Sequence, residues 1–101
     1  MIRHLVMWRL HEEADGRGRE ENARRIQEAL EGLRGRIPGL LAIEVGVDFS
    51  GDADAAHIVL YSEFTDREAL AAYHHHPLHE AIKPLVAACR SERRVVDYEV
   101  N

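Results

Sequence analysis

The chain begins with an alternation of apolar and polar residues that predicts a strand from Ile2 to Leu10. A period of two residues is typical of a strand, because successive side chains point to opposite faces of a sheet. One face of this strand carries His4, Val6, Trp8 and Leu10. The other face carries Arg3, Leu5, Met7 and Arg9. Both faces therefore include large apolar side chains, which is unusual for a strand with one face in water.

The pattern then changes to a helical period. A helix is predicted from Arg19 to about Arg36, after a polar loop over residues 11–18. Apolar residues recur three and four positions apart on one side of it, at Ile26, Leu30, Leu33 and Ile37. Pro38 and Gly39 are expected to end it, since proline cannot continue a helix and glycine relaxes the following turn.

Two further strands are predicted, from Leu40 to Phe49 and from about Ala56 to Phe64, with a polar turn between them. Gly46 in the first of them predicts either a bulge or a close approach of another residue to the backbone. In the second, His57 is expected on the face that carries Val59 and Tyr61.

A second helix is expected to begin at Thr65, which can form a capping box with Glu68. It should be interrupted at His76, because the following proline disfavours helical geometry in its predecessor but suits the start of a new helix. The new segment is predicted from Pro77 to about Ala88, and a last strand from Arg93 to Val100.

The order of elements is therefore strand, helix, strand, strand, helix, strand. This order predicts an α+β fold, the ferredoxin-like βαββαβ arrangement, with a four-stranded antiparallel sheet and both helices on one face. Packed helices cover only one face of such a sheet, yet the strands are apolar on both. An exposed apolar face of that size indicates an interface or a ligand site. We therefore expect a homodimer in which two copies of the sheet pack face to face.

Length and composition narrow the classes of protein. The 101 residues allow one domain, residues 1–101, and 46% of them are apolar, which is too many for a disordered chain. No apolar run reaches the roughly 18–20 residues that cross a bilayer, and no signal peptide is recognisable, so a cytoplasmic protein without a membrane partner is expected. A net charge of −5 argues against nucleic-acid binding. The single cysteine, Cys89, excludes an internal disulfide framework.

Histidines are the chemically unusual feature, with seven in the chain. His74 and His75 are expected at the surface, and His76 is expected to cap the second helical segment. His4 and His57 lie in apolar rows, where a histidine is either a hydrogen-bonded core residue or part of a site. His79 lies in the first turn of a helix, which disfavours its protonated form and lets it act as a base. Tyr73 lies six residues earlier and can polarise a carbonyl group.

Other familiar sites are not indicated. His76 and His79 have a helical metal-ligand spacing, but no glutamate lies between them as in the zinc motif HExxH. The aspartates near residue 50 lack the pattern of a calcium-binding hand, and no glycine-rich loop has the spacing that binds a nucleotide. We therefore expect neither a metal nor a cofactor.

Three segments together resemble the stress-responsive A/B barrel (Dabb) domain family. They are IRHLVMW at residues 2–8, YHHHPLHEAIK at residues 73–83 and VVDY at residues 95–98. The resemblance covers nearly the whole chain. It implies a dimeric α+β barrel, in which two ferredoxin-like sheets enclose a cavity, and at least one plant member of the family is a polyketide cyclase that closes a ring by aldol condensation.

The resemblance also implies a set of site residues. In the cyclase-like pattern a tyrosine and a histidine line the pocket, placed as Tyr73 and His79 are here, and His4, His57 and Asp97 also match. His79 would then remove an α-proton and Tyr73 would stabilise the oxyanion that develops, with Asp97 or His4 orienting the imidazole.

Three readings of the function stay open at this stage. The first is a homodimer with a cavity for a small apolar or aromatic molecule and no assigned role. The second is a cofactor-free enzyme, such as an aldol-type polyketide cyclase, an isomerase or a monooxygenase. The third is a purely structural oligomerisation module.

Overall fold

The computed structural model describes all residues from Met1 to Asn101, and its main sheet has four antiparallel strands. They are β1 (Ile2–Leu10), β4 (Leu40–Val47), β5 (Ile58–Phe64) and β6 (Arg90–Glu99). The strand order across the sheet is β4-β5-β1-β6. This is the ferredoxin-like order, and it confirms the predicted fold class. None of the helices has the length and apolar character that a membrane crossing requires.

Helices cover one face of this sheet. They are α1 (Arg19–Glu31), α2 (Arg67–His75), α3 (Pro77–Glu80) and α4 (Lys83–Cys89). Helix α1 packs on β4, and α2 packs on β1, β4 and β5. The buried core lies between the two layers, and its members from the sheet are Ile2, Val6, Trp8, Leu10, Ile43, Val45, Ile58, Leu60 and Phe64.

Helix α1 ends at Glu31 rather than near Arg36, and the reason is local. Gly32 caps it, with its N–H donating to the carbonyl oxygens of Glu28 and Leu30. Glycine is a poor helix former, and Gly35 adopts a positive φ of 75°, so the chain leaves the helix here. The next apolar residues of the predicted stripe, Leu33 and Ile37, are still buried, but from a turn.

The predicted loop before α1 contains a small hairpin. Strand β2 (Glu13–Ala14) pairs with β3 (Arg17–Gly18) through a two-residue turn at Asp15 and Gly16. Both turn residues have positive φ, 55° and 70°. Asp-Gly is a strong signal for a hairpin of this type, so the sequence indicated a hairpin where only a loop was predicted.

Two details of the later helices differ from the prediction, and Gly46 adopts one of its two predicted roles. The cap of α2 is Asp66 rather than Thr65, because the Asp66 carboxylate accepts from the Ala69 N–H at 2.8 Å. The segment after the break at His76 is two short helices, because Pro84 lacks the N–H that would continue α3 into α4. Gly46 makes the predicted close approach and no bulge: a Cβ there would lie 3.2 Å from Val59.

Candidate functional site

The register of the sheet brings His4 and Asp97 together. They are direct partners across β1 and β6, so both side chains point to the helix side of the sheet. His4 is 2% exposed, and its Nδ1 atom is hydrogen-bonded to Oδ1 of Asp97. A carboxylate can only accept, so Nδ1 carries the proton and Nε2 of the neutral imidazole is a free base.

His79 is placed beside His74 by the break between α2 and α3. The carbonyl oxygen of His74 accepts from Nδ1 of His79 at 3.3 Å and from Nζ of Lys83 at 3.1 Å. The His79 Nε2 atom is again the unprotonated one in the neutral ring. The ring centroids of His74 and His4 are 5.4 Å apart, so the helix segments bring these imidazoles against the His4–Asp97 pair. The prediction that His74 lies at the surface was wrong, because it is half-buried in this cluster.

Burial controls the charge of these two helix histidines. It lowers the pKa of His79 below its ordinary value, and the Lys83 ammonium and the His74 imidazole lower it further. The hydrogen bond to the His74 carbonyl oxygen and the nearby Glu80 carboxylate oppose this shift but do not cancel it. Burial is also the main reason that the pKa of His74 is lowered, with nearby charges adjusting the shift in both directions. Both rings are therefore neutral at pH 7, the form in which an imidazole can accept a proton.

Tyr73 is fully buried behind His79. Its ring lies against the His79 ring with centroids 4.1 Å apart and against Phe64 at 4.9 Å. Its hydroxyl group has no hydrogen-bond partner in the protein, and burial raises the pKa of the phenol far above its ordinary value. The hydroxyl therefore stays protonated and is able to donate a hydrogen bond.

A cavity of about 450 Å³ opens between the sheet and the short helices, next to these histidines. That volume lies within the range for sites that take small molecules. Its polar lining consists of His4, His74, His79, Lys83, Arg90 and Arg93. Its apolar lining consists of Val6, Trp8, Leu30, Leu60, Ile82, Val86 and Ala87. The arrangement offers a chamber that is apolar over about half of its lining and has neutral imidazoles in its wall.

The structure does not bring every predicted residue to this cavity. His57 lies just before β5, outside the cavity lining, and its Nδ1 atom accepts from the backbone N–H of Leu10 at 2.8 Å. Its proton must then be on Nε2, the reverse of His4 and His79. Tyr73 and Asp97 are also outside the cavity lining. Tyr73 packs behind the lining residue His79, and Asp97 is hydrogen-bonded to the lining residue His4.

Some cavity residues were missed by the sequence reasoning. Arg93 and Asp97 are four residues apart on one strand and so share a face, a spacing that could have placed Arg93 beside the site. Arg90 could not have been found this way, because a register shift between Arg9 and Leu10 displaces it from the regular alternation. No group of three or more histidine, cysteine, aspartate or glutamate side chains has an arrangement that could hold a metal ion.

Several solved structures share this fold. A dimeric ferredoxin-like protein of unknown function from Bacteroides fragilis is 31% identical, with a TM-score of 0.83 over 98% of this chain and 95% of that one. Another dimeric ferredoxin-like protein of unknown function, from Jannaschia, is 33% identical, with a TM-score of 0.74 and 98% coverage of both chains. Hydroxynitrile lyase from Passiflora edulis is 20% identical, with a TM-score of 0.79 over 99% of this chain and 93% of that one.

The family comparison agrees with the resemblance noted in the sequence. No match was found among curated proteins. The sequence model of the stress responsive A/B barrel domain matches residues 2–100, which is nearly the whole chain. The chain therefore belongs to the stress responsive A/B barrel (Dabb) domain family.

Proposed function

We propose that the cavity binds a small, mainly apolar or aromatic molecule and moves a proton on it without a cofactor. The observation that carries this proposal is the His4–Asp97 pair, since His4 lies in the wall of a cavity beside the apolar side chains of Val6 and Trp8. A carboxylate that holds Nδ1–H fixes the tautomer and leaves Nε2 as a base. His4 lines the cavity although it is almost wholly buried, and a histidine with only a structural role has no need of an open space beside it.

The reaction class is removal of a proton from a carbon next to a carbonyl group. His4 is the best-oriented base, since Asp97 is paired with it and not with His79. His79 is a second base on the opposite wall, and its neutral form is favoured by burial. The unpartnered Tyr73 hydroxyl is the donor available to an oxyanion if the ligand or a side-chain movement reaches it. Aldol-type ring closure, isomerisation and cofactor-free oxygenation all begin with this proton transfer.

Deuterium incorporation tests this proposal without knowledge of the natural substrate. Phenylacetone and related aryl ketones are incubated with the protein in D2O, and exchange of the α-protons is followed by NMR. We expect faster exchange than in buffer, and a loss on the order of a hundredfold or more in Asp97→Asn, because the amide holds His4 in the wrong tautomer. His75→Gln is the matched control, since His75 is an exposed neighbour of the cluster. Equal exchange rates in Asp97→Asn and wild type would contradict the role of the pair.

We also propose that the functional unit is a homodimer. The sheet face away from the helices carries a contiguous apolar patch, the outer patch, formed by Leu5, Met7, Val59, Tyr61, Val96 and Tyr98. Met7, Val96 and Tyr98 are 43%, 49% and 41% exposed, so the single chain leaves much of this patch in water. Two structural neighbours with more than 30% identity are dimeric.

Light scattering on wild type and two matched variants tests the dimer. Val96→Lys puts a charge into the outer patch, whereas Val47→Lys changes a valine of similar exposure, 51%, on the helix side of β4. We expect a dimer for wild type and Val47→Lys, and a monomer for Val96→Lys, because an unpaired charge at an interface is costly. A wild-type monomer at micromolar concentration would contradict the proposal.

A cytoplasmic location stays a prediction. Cys89 is a free and buried thiol, which is compatible with a reducing compartment. Fractionation of cells that express the protein would test it, with recovery outside the cytoplasm as the contrary result.

A further inference from the structure

The charge of the cavity is opposite to the charge of the chain. The chain has 18 acidic and 13 basic residues, for a net charge of −5. The cavity lining nevertheless contains Lys83, Arg90 and Arg93 and no aspartate or glutamate. A cleft with charges of one sign concentrates ligands of the other sign.

The two arginines are the cations that remain available. The Lys83 ammonium is already engaged, at 2.6 Å from Oε1 of Glu80 and 3.1 Å from the His74 carbonyl oxygen. The guanidinium groups of Arg90 and Arg93 take part in no salt bridge or side-chain hydrogen bond, although other exposed arginines of the chain do. Their donors are therefore free for a ligand.

The two arginines lie on strand β6 at some distance from Asp97, which marks the proton-transfer end of the cavity. Asp97 pairs with His4 at one end, and Arg93 pairs with Trp8 further along the same face. Four residues of a strand span about 13 Å, so the two groups mark opposite ends of an elongated site. Val6 and Trp8 form the apolar floor between them.

We propose that the cavity selects a small organic acid, whose carboxylate binds Arg90 and Arg93 while its apolar body lies over Trp8 and Val6. This inference rests on the proposed function and adds the substrate class to it. The reactive carbon would lie at the other end of the ligand, near Nε2 of His4. Guanidinium groups hold a carboxylate with paired, charge-assisted hydrogen bonds, which lysine cannot reproduce.

Trp8 provides the readout for the test. It is the only tryptophan of the chain, and it lines the cavity, so a bound molecule should change its fluorescence. The probes are phenylbutanoate, its neutral amide phenylbutanamide, and phenylbutyl phosphate, which share one apolar body. The protein variants are the double variant Arg90→Gln with Arg93→Gln, and a control with Arg24→Gln and Arg36→Gln. The control removes the same charge from exposed arginines outside the cavity.

For wild type and the control, we expect phenylbutanoate to bind on the order of tenfold or more tightly than the amide. The cavity double variant should bind the acid and the amide with equal affinity. Equal binding of acid and amide by wild type would overturn the inference and leave the small-molecule cavity in place. Tighter binding of the phosphate would overturn the assignment of a carboxylate. Failure of all three probes to bind would contradict the proposed function as well as the inference.

Discussion

At the scale of single residues, the hydrogen-bond partner of Nδ1 distinguishes the histidines of the site from the structural histidines. Nδ1 of His4 donates to a carboxylate and Nδ1 of His79 donates to a carbonyl oxygen, which leaves Nε2 free in both. Nδ1 of His57 and of His76 instead accepts from a backbone N–H, of Leu10 and Leu78 respectively. Those two imidazoles have a structural role, because each satisfies a backbone N–H group.

The isolated hydroxyl of Tyr73 makes a prediction about stability. A buried hydroxyl without a partner loses its hydrogen bond to water on folding, so removing it should not destabilise the protein. We expect the free energy of unfolding of Tyr73→Phe in urea to equal or exceed that of wild type. A loss of more than about 1 kcal/mol would show that the hydroxyl has a hydrogen-bond partner in solution.

The buried histidines make a prediction about pH. Burial holds the pKa of His74 and His79 below the ordinary value of 6.5, so on acidification the unfolded chain takes up these protons first. The unfolding free energy should therefore fall as the pH drops through 6.5 and continue to fall until the folded state is protonated as well.

Urea unfolding over a series of pH values measures this dependence. His79→Gln should reduce the slope below pH 6.5, whereas His75→Gln, at an exposed position, should leave more of it in place. The same slope in the two variants would show that His79 does not contribute.

At the scale of elements, the alternation of β1 was enough to place His4, Val6 and Trp8 on one face, and that face does form the cavity wall. The hydrogen-bond partner of His4 was harder to predict from the sequence. Asp97 lies 93 residues away, and only the pairing of β1 with β6 decides which residue of the last strand is opposite His4. Local periodicity therefore predicts which face a residue lies on, whereas contacts between strands depend on their register. The family resemblance indicated that His4 and Asp97 belong to the site, but it did not say that they are paired.

The start of α2 allows a direct comparison of two neighbouring residues. The Asp66 side chain caps the helix, so Asp66→Ala should cost about 1 kcal/mol of unfolding free energy. Thr65→Ala should cost less, because Thr65 makes no capping hydrogen bond. Thermal unfolding of the two variants would show the difference. A larger loss in Thr65→Ala would restore the capping box predicted from the sequence.

At the scale of the whole molecule, one sheet serves two purposes. Its helix-side face forms the core and the cavity wall, and its other face presents the outer patch. Strand β6 is at the edge and is exposed along its whole length, yet it carries Asp97, Arg93 and Arg90. These three residues of the proposed site thus lie on an edge strand that a single chain leaves exposed, which favours a second copy as its cover.

The homodimer should make stability depend on concentration. Folding linked to association gives a melting temperature that rises with protein concentration. We expect this rise in wild type, measured by calorimetry over a hundredfold range of concentration, and its absence in Val96→Lys. A wild-type melting temperature that stays constant over that range would argue against a dimer whose association supports the fold.

The imidazole tautomers test the role of His4 as a base without any substrate. Long-range proton–nitrogen NMR spectra at pH 7 distinguish a protonated Nδ1 from a protonated Nε2. We expect Nδ1–H with a free Nε2 for His4 and His79, and the reverse for His57 and His76, which serve as internal controls. A proton on Nε2 of His4 at this pH, whether from the other tautomer or from a stable imidazolium, would contradict its role as the base of the cavity.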